Sequence, residues 1–291
     1  MKDLFGEKYG YRNLRGRYGE PPFSVLDTKQ KLWVDRRHQW LNMGIKSEIG
    51  RNSSPFTDGL RSLLSNSKKS STRLRQKSSI FDPVLCELMY KWFCPEKGRI
   101  LDPFAGGSVR GIVAACMDLE YVGIDLSEKQ IEANKIQANS ILNKQTLFPS
   151  WLYGDSEKKI PLINQKFSFI FSCPPYMNLE KFSNHPDDLS NMRDDCFIDK
   201  YRNIIRLACQ LLNSNCFACF VVGEVRDKKG HLKDFVSITK EAFYQAGLRL
   251  WNEIILLNPV GSAAMRAGKF DKSKKVVRIH QTILVFRKGE E

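Results

Sequence analysis

Stretches with the pattern of strands alternate with stretches with the pattern of helices from residue 99 to residue 288. Amphipathic runs such as SVRGIVAACMDL and SEKQIEANKIQANSIL separate the predicted strands, and the second of these begins with a capping box formed by Ser127 and Gln130. Strands joined by helices form parallel pairs with helices on both faces of the sheet. The alternation predicts an α/β fold with a Rossmann-like, doubly wound and mostly parallel sheet. The predicted strands are GRIL, YVGID, SWLYGD, FSFIFS, CFACFVVGEV, LRLWNEIILL and HQTILVFRK.

The residues before this alternation differ in character. Trp33 and Trp40 lie at helical spacing, and Gly44 is a plausible end for the helix that contains them. A connector rich in Ser, Lys and Arg follows, and the helix FDPVLCELMYKWF begins the alternating part. We therefore predict a basic N-terminal extension, residues 1–79, as a candidate DNA contact, and one α/β domain, residues 80–291.

Basic residues dominate the charge of the chain, which has a formal net charge of +14. Residues 51–80 contain seven Lys and Arg residues against one Asp, a balance of +6. Residues 265–278 contain six against one, a balance of +5. Such clusters bind polyanions, although each alone also fits a solvated loop. The distribution favours a polyanionic partner.

Two sequence features argue against a membrane or secreted protein. No apolar run is long enough to span a bilayer, and MKDLFGEKYG lacks the apolar core of a secretion signal. The chain has eight cysteines, of which Cys216 and Cys219 form a CxxC without a second pair nearby. We therefore expect a cytoplasmic protein with free thiols, no metal site and no membrane contact.

Glycines and polar residues collect at the carboxyl ends of the predicted strands, where open α/β sheets bind ligands. The first strand ends in LDPFAGGS, the next two end at Asp125 and Asp155, and the fifth ends near Glu224. Gly106 and Gly107 allow a ligand to approach the backbone closely, and Asp125 stands where a carboxylate binds ribose hydroxyls. The pattern predicts a nucleoside-containing cofactor, with a tight strand-to-helix turn and a capping Asp as the alternative.

The apolar strand FSFIFS stops at two consecutive prolines, in the sequence SCPPY. Proline has no backbone N–H, so neither Pro174 nor Pro175 continues a central strand. The rigid turn holds Cys173 and Tyr176 at the same sheet edge as the predicted cofactor loop. The alternative interpretation is a simple proline stop after a core strand.

The sequence DPFAGGS, followed later by SCPPY, resembles the S-adenosylmethionine-dependent DNA amino-methyltransferases, most closely the phage-type DNA modification methylases. The resemblance runs from about residue 79 to residue 288. It implies a class I methyltransferase fold, S-adenosylmethionine as the cofactor and DNA as the partner, in the cytoplasm of a bacterium or a phage-infected host cell. It assigns the methionine end of the cofactor to the DPFAGG loop, the ribose to Asp125 and the adenine end to Asp155, and the segment SSIFDP stands at another cofactor-contacting motif. The residues expected to bind the cofactor are Phe81, Asp102, Phe104, Ala105, Gly106, Gly107, Asp125, Leu126, Asp155 and Ser156.

The same resemblance assigns catalysis to Cys173, Pro174, Pro175 and Tyr176. An exocyclic amino group is a poor nucleophile because its lone pair is delocalised into the base. Acceptors for both amino hydrogens favour a pyramidal nitrogen, and the proline turn fixes one acceptor, a backbone carbonyl. The resemblance also implies that the target base leaves the stack and lies against the ring of Tyr176.

Two positions depart from the family pattern. Gly106-Gly107-Ser108 stands where the family has Gly-Ser-Gly, and Cys173 stands where it has Asp, Asn or Ser. A thiol is a weak acceptor, and Ser172 does not replace it because adjacent strand residues face opposite ways. Cysteine is closest in size to serine, which is commoner in cytosine-N4 enzymes, so N4-cytosine is slightly favoured over N6-adenine. The alternatives are an RNA or protein-glutamine N-methyltransferase, and a non-catalytic DNA-binding protein that retains the fold.

Contacts with DNA are expected from the N-terminal extension, the loop of residues 177–195 and the basic segment, residues 258–280. His185 is expected to be a loop residue, and His280 begins the last strand with a role in substrate binding or in structure. Both a monomer and a homodimer are compatible with the sequence. The residues expected to bind DNA are Arg266, Lys269, Lys272, Lys274, Lys275 and Arg278.

Overall fold

A computed structural model describes residues 14–45, 81–143, 147–177, 187–261 and 263–289. One sheet runs through these ranges. Its strands are β1 (Val25–Asp27), β2 (Arg99–Asp102), β3 (Glu120–Asp125), β4 (Ser150–Tyr153), β5 (Phe167–Ser172), β6 (Leu212–Val222), β7 (Leu248–Leu257) and β8 (His280–Lys288). Their spatial order is β1-β7-β8-β6-β5-β2-β3-β4.

Strand β8 runs antiparallel to its neighbours β6 and β7, and every other strand pair in this sheet is parallel. Helices connect the parallel strands, as the alternation in the sequence requires. The predicted α/β, doubly wound and mostly parallel fold is therefore confirmed. The helices are α1 (Leu14–Tyr18), α2 (Lys31–Asn42), α3 (Pro83–Phe93), α4 (Val109–Cys116), α5 (Glu128–Ile141), α6 (Ser156–Lys159), α7 (Asp194–Leu211), α8 (Phe235–Gln245), α9 (Ala263–Ala267) and α10 (Phe270–Ser273).

Side-chain hydrogen bonds define where two of the longer helices begin. The Ser127 hydroxyl accepts the N–H of Gln130 at 3.2 Å, which is the first of the two bonds of the predicted capping box of α5. The Ser127 N–H donates to Asp125 Oδ1 at 2.8 Å. The Asp82 carboxylate accepts the N–H of Val84 at 3.0 Å, and Pro83 occupies the first position of α3.

Two apolar cores lie on opposite faces of the sheet. Along β6, Cys219 and Val221 belong to the core formed with α2, α3 and α4, whereas Phe220 and Val222 belong to the core formed with α7 and α8. This period of two is expected of a central strand that is buried on both faces. Both cores hold the carboxyl ends of β2, β5 and β6 in fixed positions.

The described part of the N-terminal segment is built into this domain, which corrects the prediction of a separate extension. Strand β1 pairs in parallel with β7, and Trp33 and Trp40 are fully buried against α3. Their indole N–H groups donate to Asp82 and Glu87, each at 2.9 Å. Buried indoles and paired carboxylates fix α2 on the domain, so residues 14–45 complete the sheet and the core.

Some predicted features lie outside the described ranges. These are the Ser-, Lys- and Arg-rich connector of residues 52–79, the first three residues of SSIFDP, and residues 178–186 of the loop 177–195, which include His185. The basic segment, residues 258–280, contains the short helices α9 and α10, which the sequence pattern did not predict. None of the helices in the described ranges is long and apolar enough to cross a membrane.

Candidate functional site

The carboxyl ends of β2, β3, β5 and β6 meet at one edge of the sheet, and the amino end of β8 lies at the same edge. The turns that follow these strands carry most of the residues predicted from the sequence. They form two groups, the cofactor loop of residues 102–108 and the catalytic corner of residues 173–176.

Asp102 lies beneath the cofactor loop and is fully buried. Its carboxylate accepts hydrogen bonds from Arg110 Nε at 2.5 Å, the Tyr121 hydroxyl at 2.7 Å and the Ser172 hydroxyl at 2.5 Å. It also accepts the Phe104 N–H at 3.2 Å. Four donors from the protein thus surround its carboxylate inside the core, and its contact with the cofactor stays a prediction.

Arg110 is the positive partner of this buried carboxylate, a role that was not predicted from the sequence. Its Nη2 donates to the carbonyls of Phe104 and Ala105 at 2.7 and 2.8 Å, and its guanidinium lies 4.6 Å from the ring centroid of Phe81. Burial lowers the pKa of Arg110, but the Asp102 carboxylate raises it further, so the net direction is upward. Arg110 remains charged and fixes the loop. An arginine within the apolar run SVRGIVAAC was the signal that could have revealed it.

Gly106 forms the tip of the cofactor loop in a left-handed conformation, with φ of +54°. Its N–H donates to Asp125 Oδ2 at 2.9 Å, and its carbonyl accepts from Asn134 Nδ2 at 2.8 Å. Asp125 Oδ1 also accepts the Ser127 N–H at 2.8 Å. The structure therefore brings Gly106 and the half-buried Asp125 together, as predicted, and Gly107 lies beside them, partly exposed.

Asp155 and Ser156 begin α6 on the other side of this loop. Asp155 accepts the Glu157 N–H at 3.0 Å and forms an ion pair with Lys200 at 2.8 Å. The Ser156 hydroxyl donates to the Pro103 carbonyl at 2.5 Å. Asp155 thus caps a helix and is largely buried, and Ser156 ties that helix to the cofactor loop. Phe81 and Leu126 are partly exposed near the loop, and Ala105 is fully buried.

The catalytic corner follows β5 directly. Cys173, Pro175 and Tyr176 are partly exposed, whereas Pro174 is buried. Cys173 Sγ lies 3.4 Å from the Tyr176 hydroxyl, and the Tyr176 ring packs edge-on against Phe235 with centroids 6.2 Å apart. The thiol and the aromatic ring of the corner thus lie side by side at the carboxyl end of β5.

Two further residues hold Tyr176 in place, and the sequence reading named neither. Gln281 Nε2 donates to the Tyr176 hydroxyl at 2.6 Å. Gly223 lies so close that a Cβ added to it would be 3.0 Å from Tyr176 Cε2. The polar character of Gln281 at the start of an otherwise apolar strand was the available signal.

Two polar side chains near the ends of β5 and β6 form hydrogen bonds within the protein. Ser172 points into the core and donates to Asp102, so the prediction that it does not replace Cys173 is confirmed. Glu224 accepts the N–H groups of Phe235 and Val236 at 3.3 and 2.9 Å, so it caps α8.

The six basic residues predicted to bind DNA are exposed on or beside α9 and α10, between β7 and β8. His280 follows them, and its pKa is lowered by burial and by the neighbouring Arg278. All eight cysteines are free thiols. In the described ranges no three His, Cys, Asp or Glu side chains are grouped as a metal site requires.

The sequence matches no protein-family model and no curated protein. Several solved structures have a fold similar to that of this chain. TrmN from Thermus thermophilus has a TM-score of 0.50 and 15% identity, covering 72% of this chain and 49% of that chain. Precorrin-6y C5,15-methyltransferase from Geobacter metallireducens has a TM-score of 0.47 and 9% identity, covering 73% and 92%. Magnesium protoporphyrin IX methyltransferase (ChlM) from Synechocystis PCC 6803, with bound SAM, has a TM-score of 0.43 and 11% identity, covering 67% and 71%.

The chain has the Rossmann-like fold of class I methyltransferases, as its strand order with β8 inserted antiparallel and its likeness to TrmN show. It spans about half the length of TrmN. At this level of identity the likeness defines the fold, and the substrate has to be argued from the chemistry of the cleft.

Proposed function

We propose that the protein transfers a methyl group from S-adenosylmethionine to an exocyclic amino group of a base in DNA. The observation that carries the proposal is the position of the catalytic corner, residues 173–176, at the same sheet edge as the Gly106 loop and Asp125. An acceptor, an aromatic ring and a ribose-binding carboxylate in one cleft match the needs of base methylation.

The cofactor loop fits S-adenosylmethionine, which supplies an electrophilic methyl group on a sulfonium. Gly106 has no side chain at the tip of the loop, so the backbone offers a close surface for the methionine end. Asp125 is partly exposed at the end of β3, where its carboxylate would hold the ribose. Asp102 and Arg110 hold the loop in place from the core side through their hydrogen bonds.

The catalytic corner fits a flipped-out base. Tyr176 offers its ring as a stacking surface, and Gln281 fixes the ring through its hydroxyl. Pro174 and Pro175 make the backbone rigid, so its carbonyl is a preorganised acceptor for an amino hydrogen. The amino nitrogen would form the new bond to the methyl carbon while the C–S bond breaks and its electron pair stays on the sulfur. The nitrogen would then release one proton to solvent. No covalent intermediate with the protein is needed.

Cys173 bears on which base is the target. Its thiol stands where related enzymes have Asp, Asn or Ser, and it lies 3.4 Å from the Tyr176 hydroxyl. A thiol accepts hydrogen bonds weakly, so the backbone carbonyl is the stronger of the two acceptors for the amino hydrogens. Cysteine is closest in size to serine, and serine at this position is commoner in cytosine-N4 enzymes. We therefore favour N4-cytosine slightly over N6-adenine.

A transfer assay with methyl-labelled S-adenosylmethionine tests the proposal. DNA, RNA and a glutamine-containing protein extract are offered separately to the purified chain. Label in DNA alone supports the proposal, whereas label in RNA or protein alone contradicts it. Absence of both transfer and cofactor binding by calorimetry would identify a non-catalytic protein that retains the fold.

Paired variants test the assigned roles. Cys173→Ala should reduce transfer less than Tyr176→Ala, because the backbone carbonyl remains in the first variant and the stacking surface is lost in the second. The exposed residue Tyr244 on α8, which packs on Phe286 far from the catalytic corner, offers a matched control, Tyr244→Ala, which should leave transfer unchanged. Equal losses for Cys173→Ala and Tyr176→Ala would contradict the assignment.

A further inference from the structure

A short hairpin follows β6 at the sheet edge that carries the catalytic corner. We call residues 225–233 the basic hairpin. The Lys233 N–H donates to the Val225 carbonyl at 2.8 Å, and the Asp227 N–H donates to the His231 carbonyl at 2.9 Å. The Asp227 carboxylate accepts the N–H groups of Gly230 and His231 at 2.6 and 2.9 Å. These bonds fix the backbone of the turn, so the points from which its side chains project are set before any partner binds.

The basic hairpin carries four positive side chains, Arg226, Lys228, Lys229 and Lys233, against Asp227, a balance of +3. Lys228 and Lys229 stand exposed at the turn. Neither lysine forms an ion pair with another residue in the described ranges. Their charges are therefore available to a polyanion.

The basic hairpin touches the basic segment, residues 258–280. The Lys275 side chain lies over Gly230, since a Cβ added to that glycine would be 2.0 Å from Lys275 Nζ. The basic segment has six positive side chains against one Asp, a balance of +5. The two elements are far apart in sequence, but together they make one continuous positive surface.

Both elements also begin or end beside Tyr176. Gly223, which lies against the Tyr176 ring, precedes the basic hairpin by two residues. Gln281, which donates to the Tyr176 hydroxyl, follows the basic segment immediately. The positive surface therefore lies on the β6 and β8 side of the catalytic corner.

Exposed apolar side chains interrupt the charges of the basic segment. Met265 is 62% exposed and Phe270 is 43% exposed, although exposed apolar side chains do not increase the solubility of a loop. Apolar and aromatic side chains among cations suit a partner that has both phosphates and base faces. This combination favours nucleic acid over an acidic protein.

We infer that the basic hairpin and the basic segment form one DNA-binding surface beside Tyr176, in which Lys228 and Lys229 contact phosphates. The inference rests on the proposed function and extends it, because the basic hairpin was not among the elements that the sequence assigned to DNA. The surface holds the duplex backbone while the target base enters the catalytic corner.

The test compares Lys228→Ala/Lys229→Ala with the control Lys129→Ala/Lys135→Ala. The control removes two exposed charges from α5, which packs on β3 and β4 at the other end of the sheet. Binding of a fluorescein-labelled duplex is measured by anisotropy at several salt concentrations. The hairpin variant should bind about tenfold more weakly at low salt, and the slope of log K against log salt should fall by about 2. The control should match the wild type.

The result that overturns the inference is a hairpin variant with wild-type slope and affinity, or an equal loss in the control. DNA methylation by the wild type, measured in parallel, separates this inference from the proposed function. If the wild type methylates DNA and the hairpin variant binds it normally, only the surface assignment fails. If the wild type methylates RNA or protein instead of DNA, both fail.

Discussion

The variant Arg110→Met should destabilise the protein strongly, because it leaves a buried carboxylate without its cation. Arg110 is 4% exposed and donates to Asp102 at 2.5 Å and to the carbonyls of Phe104 and Ala105 at 2.7 and 2.8 Å. Methionine keeps an unbranched apolar stem and removes all three hydrogen bonds. Removing one partner of a buried ion pair costs about 3–5 kcal/mol.

This loss is large compared with the total stability of a protein, which is about 5–15 kcal/mol. We expect the melting temperature to fall by on the order of 10 °C. Differential scanning calorimetry measures this directly. Arg99→Met is a matched control, because Arg99 pairs with Glu120 at 2.5 Å but both side chains are about one-third or more exposed. An exposed pair contributes about 0–1 kcal/mol, so the control should melt close to the wild type.

A double variant tests the cause of the loss. Adding Asp102→Asn to Arg110→Met removes the unpaired charge. The Tyr121 and Ser172 hydroxyls donate to different oxygens of Asp102, so the amide keeps an acceptor for one of them and offers its NH2 group to the other. The double variant should therefore recover part of the lost stability. The reasoning is refuted if Arg110→Met melts like the Arg99→Met control, or if the second substitution lowers the stability further by its full separate amount.

Three further outcomes are expected. Cys173→Ser should raise the rate of methyl transfer by about fivefold, since a hydroxyl is a better hydrogen-bond acceptor than a thiol by about 1 kcal/mol. An unchanged or lower rate would contradict the role of this side chain as an acceptor. Gln281→Leu should lower kcat by about fivefold, because its hydrogen bond to the Tyr176 hydroxyl is lost. Adding Tyr176→Phe should then cause little further loss, and additive losses would show that the two residues act independently. His280→Gln should leave the salt dependence of DNA binding unchanged at pH 7.5, because burial and Arg278 lower the pKa of His280 and keep it neutral. Below about pH 6.5 only the wild type gains a charge, so its affinity should rise relative to the variant, and a difference already present at pH 7.5 would contradict this.

The periodicity of the sequence predicted the sheet well where apolar runs are long. FSFIFS and HQTILVFRK are strands over the predicted residues. Strand β1, Val25–Asp27, was not predicted because three residues are too few to show an alternation of apolar and polar side chains. Its partner β7 also lies far away in the sequence. Strand β6 begins at Leu212, within polar residues, because its register with β5 starts there.

The candidate site was predicted in its location but only partly in its roles. Gly106, Asp125, Cys173 and Tyr176 occur at the expected edge because the carboxyl ends of parallel strands coincide. The sequence could not indicate that Asp102 would be buried with Arg110, since that pairing depends on how α4 packs. For the same reason it gave no sign that Gln281 would reach Tyr176 across a separation of 105 residues.

The central claim is that the catalytic corner presents a DNA base amino group to the methyl donor. Mass spectrometry of nucleosides, released from DNA of a host that expresses the protein, measures this most directly. We predict N4-methylcytosine, or N6-methyladenine, above the level in the same host expressing the Tyr176→Ala variant. Equal levels of these nucleosides with the wild type and with Tyr176→Ala would contradict the account.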